Sequence, residues 1–277
     1  MIEPRYISGD TTDRDFWQYN NSIQNITFYN KIEEPEEYEE VFDVSNEKDG
    51  SVIAYLVFNE DDLYDLYIMA DGNIYANPDS SRMFSYFTKL KAINNMEYFR
   101  TIYSTNMLEM FHRNKNLISI DVSYFDTRNV TNMESMFAMD LYDGSLLTEL
   151  DVSNFDTSKV TNMADMFAFI DKLTYLDLKN FDTSNVTDMS QMFRYCYKLE
   201  QVDLSNFDTS NVTNMSWLFE DNYSLKNIYV GNKWNVASVE ISNNMFDNCD
   251  ELPNFNESYT DKTKAYVGDG GYLTLKD

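Results

Sequence analysis

Few side chains in this sequence could do chemistry. His112 is the only histidine, and a general base needs a hydrogen-bonded partner and a pocket to act. It follows Phe111, and the equivalent places of a repeat hold Ala138, Ala168, Arg194, Glu220 and Asp247, which reads as an exposed position. The sequence has no G-x-S-x-G, no H-E-x-x-H and no glycine-rich phosphate loop. No enzyme, catalytic residue, metal site or cofactor is therefore expected. Cys196 and Cys249 lie two repeat units apart, about 10 Å at strand spacing and beyond the roughly 7 Å limit for bridging, so two free, buried thiols are expected. Methionines spaced three apart (Met107/Met110, Met133/Met136, Met163/Met166, Met189/Met192) could ligate a soft metal. Filling gaps between stacked turns is the use the residue type favours.

The elements that position these residues are set by a repeat. FDTRNVTNMESMF begins at Phe125, and close copies begin at Phe155, Phe181 and Phe207. Weaker copies begin at Phe99 and Trp234, and the starting aromatics are spaced 26, 30, 26, 26 and 27 residues apart. The long spacing comes from extra residues within AMDLYDGSL, which read as a loop on the rim. A degenerate first unit runs from Gly72 to Phe84.

Each unit also carries L-x-x-[LIV]-x-[LV], as in Leu117/Ile120/Val122, Leu147/Leu150/Val152, Leu173/Leu176/Leu178, Leu199/Val202/Leu204 and Leu225/Ile228/Val230. Period-two alternation predicts strands with those residues inward. Asn154, Asn180 and Asn206 follow the strands and read as buried amides that satisfy turning backbone. Thr131, Thr161, Thr187 and Thr213 precede N-M-x-x-M-F or a close variant, which predicts a helix N-cap and one or two helical turns. The fold class expected is an α/β repeat, a right-handed leucine-rich-repeat solenoid with a parallel β-sheet, short helices and a β-rich N-terminal cap. The boundaries expected are 1–71 for that cap, 72–250 for about seven units, and 251–277 for a C-terminal cap with a glycine-rich turn. In the first segment, strands are expected at Ile23 to Tyr29, Ser51 to Phe58 and Leu63 to Met69, with a hairpin turn at Asn59 to Asp62. Glu33 to Glu40 reads as a solvated loop held open by like charges.

The unit xLxxLDLSNFDTSNVTNMxxMFxxC resembles the BspA-like leucine-rich-repeat surface proteins of bacteria. The resemblance extends to FWQYNNSIQNITFYNKIEEP and IYANPDSSRMF before the repeats and to GNKWNVASVEISNNMFDNCDELPNF after them, and so covers nearly the whole chain from Phe16. It implies the solenoid fold and an adhesin or host-interaction role at the cell surface. This sequence departs from the pattern at several xxC positions, which hold Asn114, Asp140, Ile170 and Asn222.

Twenty-one basic against 47 acidic residues give a net charge of -26, which opposes direct nucleic-acid contact and anionic membranes. No apolar stretch reaches the roughly 18 to 20 residues of a membrane span. The first residues lack the basic start and apolar middle of a signal peptide. A cell-surface or secreted place is expected if a leader precedes this sequence, and a cytoplasmic one otherwise.

Asp121, Asp151, Asp177 and Asp203 project outward between inward strand residues, at about 4.8 Å per strand step. Their repulsion would be relieved by raised pKa values, by Lys179 and Lys226, or by a hard cation. Asp126, Asp156, Asp182 and Asp208 read as local turn caps. The expected function is protein binding through an acidic concave sheet. Its contacts are Glu149, Asp151, Tyr175, Asp177, Lys179, Gln201, Asp203, Asn227 and Tyr229, with Tyr175 and Tyr229 as anchors. The partner expected is a protein with a basic surface, and a polysaccharide stacked on the two tyrosines is the other ligand considered. The rival reading is an intracellular, phage-encoded acidic inhibitor that imitates nucleic acid in a basic channel.

Overall fold

The structure is a computed structural model that describes residues 1–3, 5, 15–140 and 144–276. Its N-terminal part follows the expected strands. β1 (Ile23–Tyr29), β2 (Glu40–Asp43), β3 (Ile53–Phe58) and β4 (Tyr64–Met69) join in one sheet, with β3 and β4 antiparallel across the Asn59 to Asp62 turn. β5 (Ile74–Tyr75) pairs in parallel with β7 (Phe99–Arg100), and β6 (Ala92–Asn94) pairs in parallel with β1, giving the order β2-β3-β4-β1-β6. Towards the other end, β8 (Gln201–Leu204), β9 (Asn227–Val230) and β10 (Thr274–Leu275) form a parallel sheet in the order β10-β9-β8.

The expected α/β solenoid, with one parallel sheet and a short helix in each unit, is overturned. Among the described residues there is no α-helix, only 3-10 segments at Asp15–Tyr19, Met96–Tyr98 and Lys262–Lys264. The strands fall into small separate sheets, none of which runs the length of the repeats. Of the five strand columns expected at Leu117, Leu147, Leu173, Leu199 and Leu225, only the last two become paired strands. Among the described residues no backbone hydrogen bond joins 147–152 to 173–178, or 173–178 to 199–204.

The hydrogen bonds are found instead on the N-M-x-x-M-F side. Single parallel bridges run Asp79, Asn106, Asn132, Asn162, Asp188, Asn214 and Ile241, one per unit. From there alternate peptides lie flat across the stack. Met133, Ser135, Phe137 and Met139 donate to the carbonyls of Asn162, Ala164, Met166 and Ala168 in the next unit, at 2.8 to 3.1 Å. Within the unit Met136 N–H returns to Met133 C=O at 3.2 Å, closing a turn rather than starting a helix. The residue before the second methionine is left-handed: Glu109, Ser135, Asp165 and Gln191 have φ of 54° to 59°. Such a non-glycine conformation costs about 1 to 2 kcal/mol, and the lateral hydrogen bonds it permits offset that cost. The threonines expected as helix caps instead hydrogen-bond from unit to unit, Thr161 Oγ1 donating to Thr131 C=O at 3.2 Å and Thr187 Oγ1 to Thr161 C=O at 3.1 Å.

The alternate peptides from Met133 to Met139 and their equivalents point one way, with N–H groups towards later units and carbonyls towards earlier ones, whereas the threonine N–H groups before them donate to the preceding unit. The first unit thus presents bare carbonyls, the negative end of aligned dipoles, as at a helix C-terminus. Trp17 Nε1 donates to Met83 C=O at 2.7 Å and Arg5 Nη1 to Ser85 C=O at 2.6 Å, so a buried cation and an indole close that end.

Inside, the closing phenylalanines form a column. Phe111, Phe137, Phe167, Phe193, Phe219 and Phe246 stack with centroids 5.6 to 6.1 Å apart and planes within 16°. The methionine pairs are fully buried beside them, as packing requires. Leu117, Leu147, Leu173, Leu199 and Leu225 are buried as predicted. The middle of the rim loop, 141–143, lies outside the described residues.

Candidate functional site

The aspartates that looked like a ligand ladder first serve their own backbone. Asp121, Asp151, Asp177 and Asp203 each accept the N–H two residues on, from Ser123, Ser153, Lys179 and Ser205, at 3.0 to 3.1 Å. Asp156, Asp182 and Asp208 do the same with Ser158, Ser184 and Ser210, as expected of turn caps. Of the three ways in which the repulsion could be relieved, raised pKa values are not the one found at Asp151, Asp177 and Asp203. The Ser153 hydrogen bonds hold Asp151 below the usual carboxylate range, and those from Lys179 do so for Asp177. Burial would lift Asp203, but hydrogen bonds from Lys276 and Ser205 outweigh it and hold it low. Among the described residues no three His, Cys, Asp or Glu side chains gather to hold a metal ion.

Lys179 Nζ reaches Asp177 at 2.8 Å, whereas Lys226 pairs with Glu200 at 3.3 Å and not with the aspartate column. Glu149, Asp151, Tyr175 and Asp177 come together, with Thr148, Leu150, Ser153 and Thr174, around an open depression of about 460 Å³. It lies where no backbone hydrogen bonds cross between 147–152 and 173–178, so the two segments are not held at sheet spacing. Tyr175 is 63% exposed at its edge.

The remaining expected contacts are elsewhere. Gln201 and Asn227 face each other in the β8–β9 register, outside the depression. Tyr229 and Asp203 are engaged by Lys276 of the C-terminal segment, whose Nζ lies 5.5 Å from the Tyr229 ring centre and donates to Asp203. Lys276 was not legible as part of this surface, because nothing in the repeat says that β10 returns beside β9.

His112 is more enclosed than its position suggested, with 16% of its side chain exposed. Its ring stacks on Tyr86 at 5.5 Å, its Nε2 accepts from Arg113 Nε at 3.1 Å, and burial pushes its pKa down to about 4. It is a neutral packing residue above that pH. Both cysteines are free and buried. Cys196 Sγ lies 3.2 Å from Phe167 C=O and Cys249 Sγ 2.9 Å from Phe219 C=O, each in the preceding unit. Asn222 and Asn114 reach the same carbonyl of their preceding units, Phe193 and Phe84, at 2.7 Å. The departures from cysteine at these two positions therefore keep a donor. Asn154, Asn180 and Asn206 also donate to carbonyls of the preceding unit, but Asn154 and Asn180 do so from the surface and Asn206 from a half-buried place rather than from within.

Among the described residues no helix is long and apolar enough to cross a membrane. A family profile described as "Mycoplasma protein of unknown function, DUF285" matches residues 78–171 and 142–261, which together make up about two thirds of the chain. None of the curated proteins and none of the solved structures matches it.

Proposed function

The chain belongs to the DUF285 family of Mycoplasma proteins of unknown function, and we propose that it is a non-enzymatic binding protein which takes a basic protein partner at the Tyr175 depression. The observation that carries this reading is the meeting of one exposed aromatic ring with three carboxylates, Glu149, Asp151 and Asp177, around an open hollow. An aromatic side chain supplies large contact area with little entropy to lose, and surrounding carboxylates steer a cationic surface. Asp151 and Asp177 are held ionised by their hydrogen bonds, so their charge persists in mildly acidic surroundings. The resemblance of the repeat unit to BspA-like surface proteins supports an adhesin-type role outside the cell. Tyr175 is the anchor in this reading and Tyr229, already covered by Lys276, is not.

The test uses whichever partner the immobilised protein retains from host-cell surface extracts, measured by surface plasmon resonance at two ionic strengths. Changing Asp151 and Asp177 together to Asn removes charge but keeps an acceptor oxygen for each turn. That variant should associate more slowly and with less salt dependence. Tyr175→Ala should raise the dissociation rate about tenfold, the equivalent of ~1.4 kcal/mol. A partner that binds both variants as it binds the parent would rule out this site.

A further inference from the structure

A second hollow, in the N-terminal sheet, belongs to none of the repeat surface. It measures about 520 Å³ and is lined by Tyr29, Tyr67 and Met69 from β1 and β4, and by the segment from Asn30 to Glu36. Tyr29 and Met69 are register partners, as are Thr27 and Tyr67, so both tyrosines rise from one face of the sheet. Their ring centres are 5.5 Å apart with planes at 78°, forming an aromatic corner. Glu33, Glu34 and Glu36 line the same hollow.

The acidic segment is an exposed loop, as the sequence suggested, until β2 begins at Glu40. Tyr38 stacks edge-on against Tyr55 at 5.0 Å, and its hydroxyl donates to Glu34 at 2.8 Å. The segment is thereby pinned over the sheet, with its carboxylates beside the aromatic corner. Among the described residues Lys31 is the one basic residue lining the hollow, and it pairs with Glu33. Glu34 and Glu36 add negative charge that Lys31 does not offset.

We propose that this hollow binds the alkylated ammonium group of a small organic cation. Aromatic faces attract a positive charge through their ring quadrupoles, and the methyl groups of an alkylammonium fill an apolar corner that a hydrated metal ion or a bare ammonium leaves wet. The carboxylates exclude anions and favour the cation further. The site is independent of the Tyr175 depression, and its occupation needs no protein partner.

Isothermal titration of the whole chain with choline, and with its uncharged isostere 3,3-dimethylbutan-1-ol, tests the assignment. Choline should bind with a Kd on the order of 1 mM or tighter, and the isostere should bind at least about tenfold more weakly, because shape without charge forfeits the ring and carboxylate attraction. Tyr29→Ala should weaken choline about fivefold, Tyr29→Phe should bind as the parent does, and Glu36→Gln should weaken binding about twofold to threefold. Tyr29 is 36% exposed, so its replacement leaves the core intact, and an unchanged melting curve for each variant establishes that. Equal binding of choline and its isostere, no detectable choline binding, or unchanged affinity in Tyr29→Ala would overturn the proposal.

Discussion

Replacing Thr183 with valine isolates one contact that ties neighbouring units together. Its hydroxyl is 1% exposed with the rest of the residue. It donates to the Asp208 carbonyl at 3.0 Å and accepts the Asp208 N–H at 2.9 Å, so one oxygen serves both backbone groups of a residue in the next unit. The same clip recurs from Thr127 to Asp156 and from Thr157 to Asp182. Valine keeps the shape and supplies a methyl group, so packing changes little. The substitution breaks two hydrogen bonds and leaves two partly buried backbone groups without partners, a loss of about 2 to 3 kcal/mol. For a chain of 277 residues that is a fall in Tm of roughly 3 to 6 °C if unfolding is cooperative. Thr187→Val is the control. Thr187 is exposed, and its hydroxyl shares the Thr161 carbonyl with its own backbone N–H, so its removal should cost less than about 0.5 kcal/mol. Urea unfolding followed by tyrosine fluorescence and circular dichroism would measure both. A Thr183→Val midpoint equal to that of the parent, or an equal loss in Thr187→Val, would refute the clip as a stabilising tie between units.

Two further outcomes follow from buried titratable groups. Burial pushes the Cys196 thiol up to about 12 and raises Cys249 as well, so neither should react with Ellman's reagent until the chain unfolds, and reductant should leave the melting temperature unchanged. Asp165 is held up at about 7 from an ordinary 3.8, first by burial and then by Glu134, with Arg194 opposing and Asp188 adding to it. The folded chain therefore holds that proton more tightly than the unfolded chain, and stability falls as pH rises from about 4 through 7. His112, pushed down to about 4, has the opposite slope over part of that range. The comparison must accordingly be made by difference, and urea midpoints of the parent and Asp165→Asn across this window should diverge in favour of the variant as pH rises. Parallel profiles would show that Asp165 titrates normally.

The repeat period, the inward leucines, the buried methionine pairs and the two free cysteines could all be read from the sequence, because each is a local pattern of apolar residues whose burial its spacing dictates. The N-terminal hairpin was equally legible, since alternating β-formers flank a polar turn. What the chain does between methionines was not. Glu109, Ser135, Asp165 and Gln191 share a left-handed conformation but no residue type. Methionines three apart come to one side in a turn as they do in a helix, so the spacing cannot tell them apart. Only the neighbouring unit decides, by offering carbonyls to alternate N–H groups at the places where an isolated helix would have used its own. The same holds for the candidate sites. The exposed Tyr175 and its aspartates could be picked from their outward register. The covering of Tyr229 by Lys276, the pinning of the acidic segment by Tyr38, and the closing of the carbonyl end by Arg5 and Trp17 join residues distant in sequence. Such contacts are set by the docking of the end segments on the repeats, which the period of the repeats does not encode.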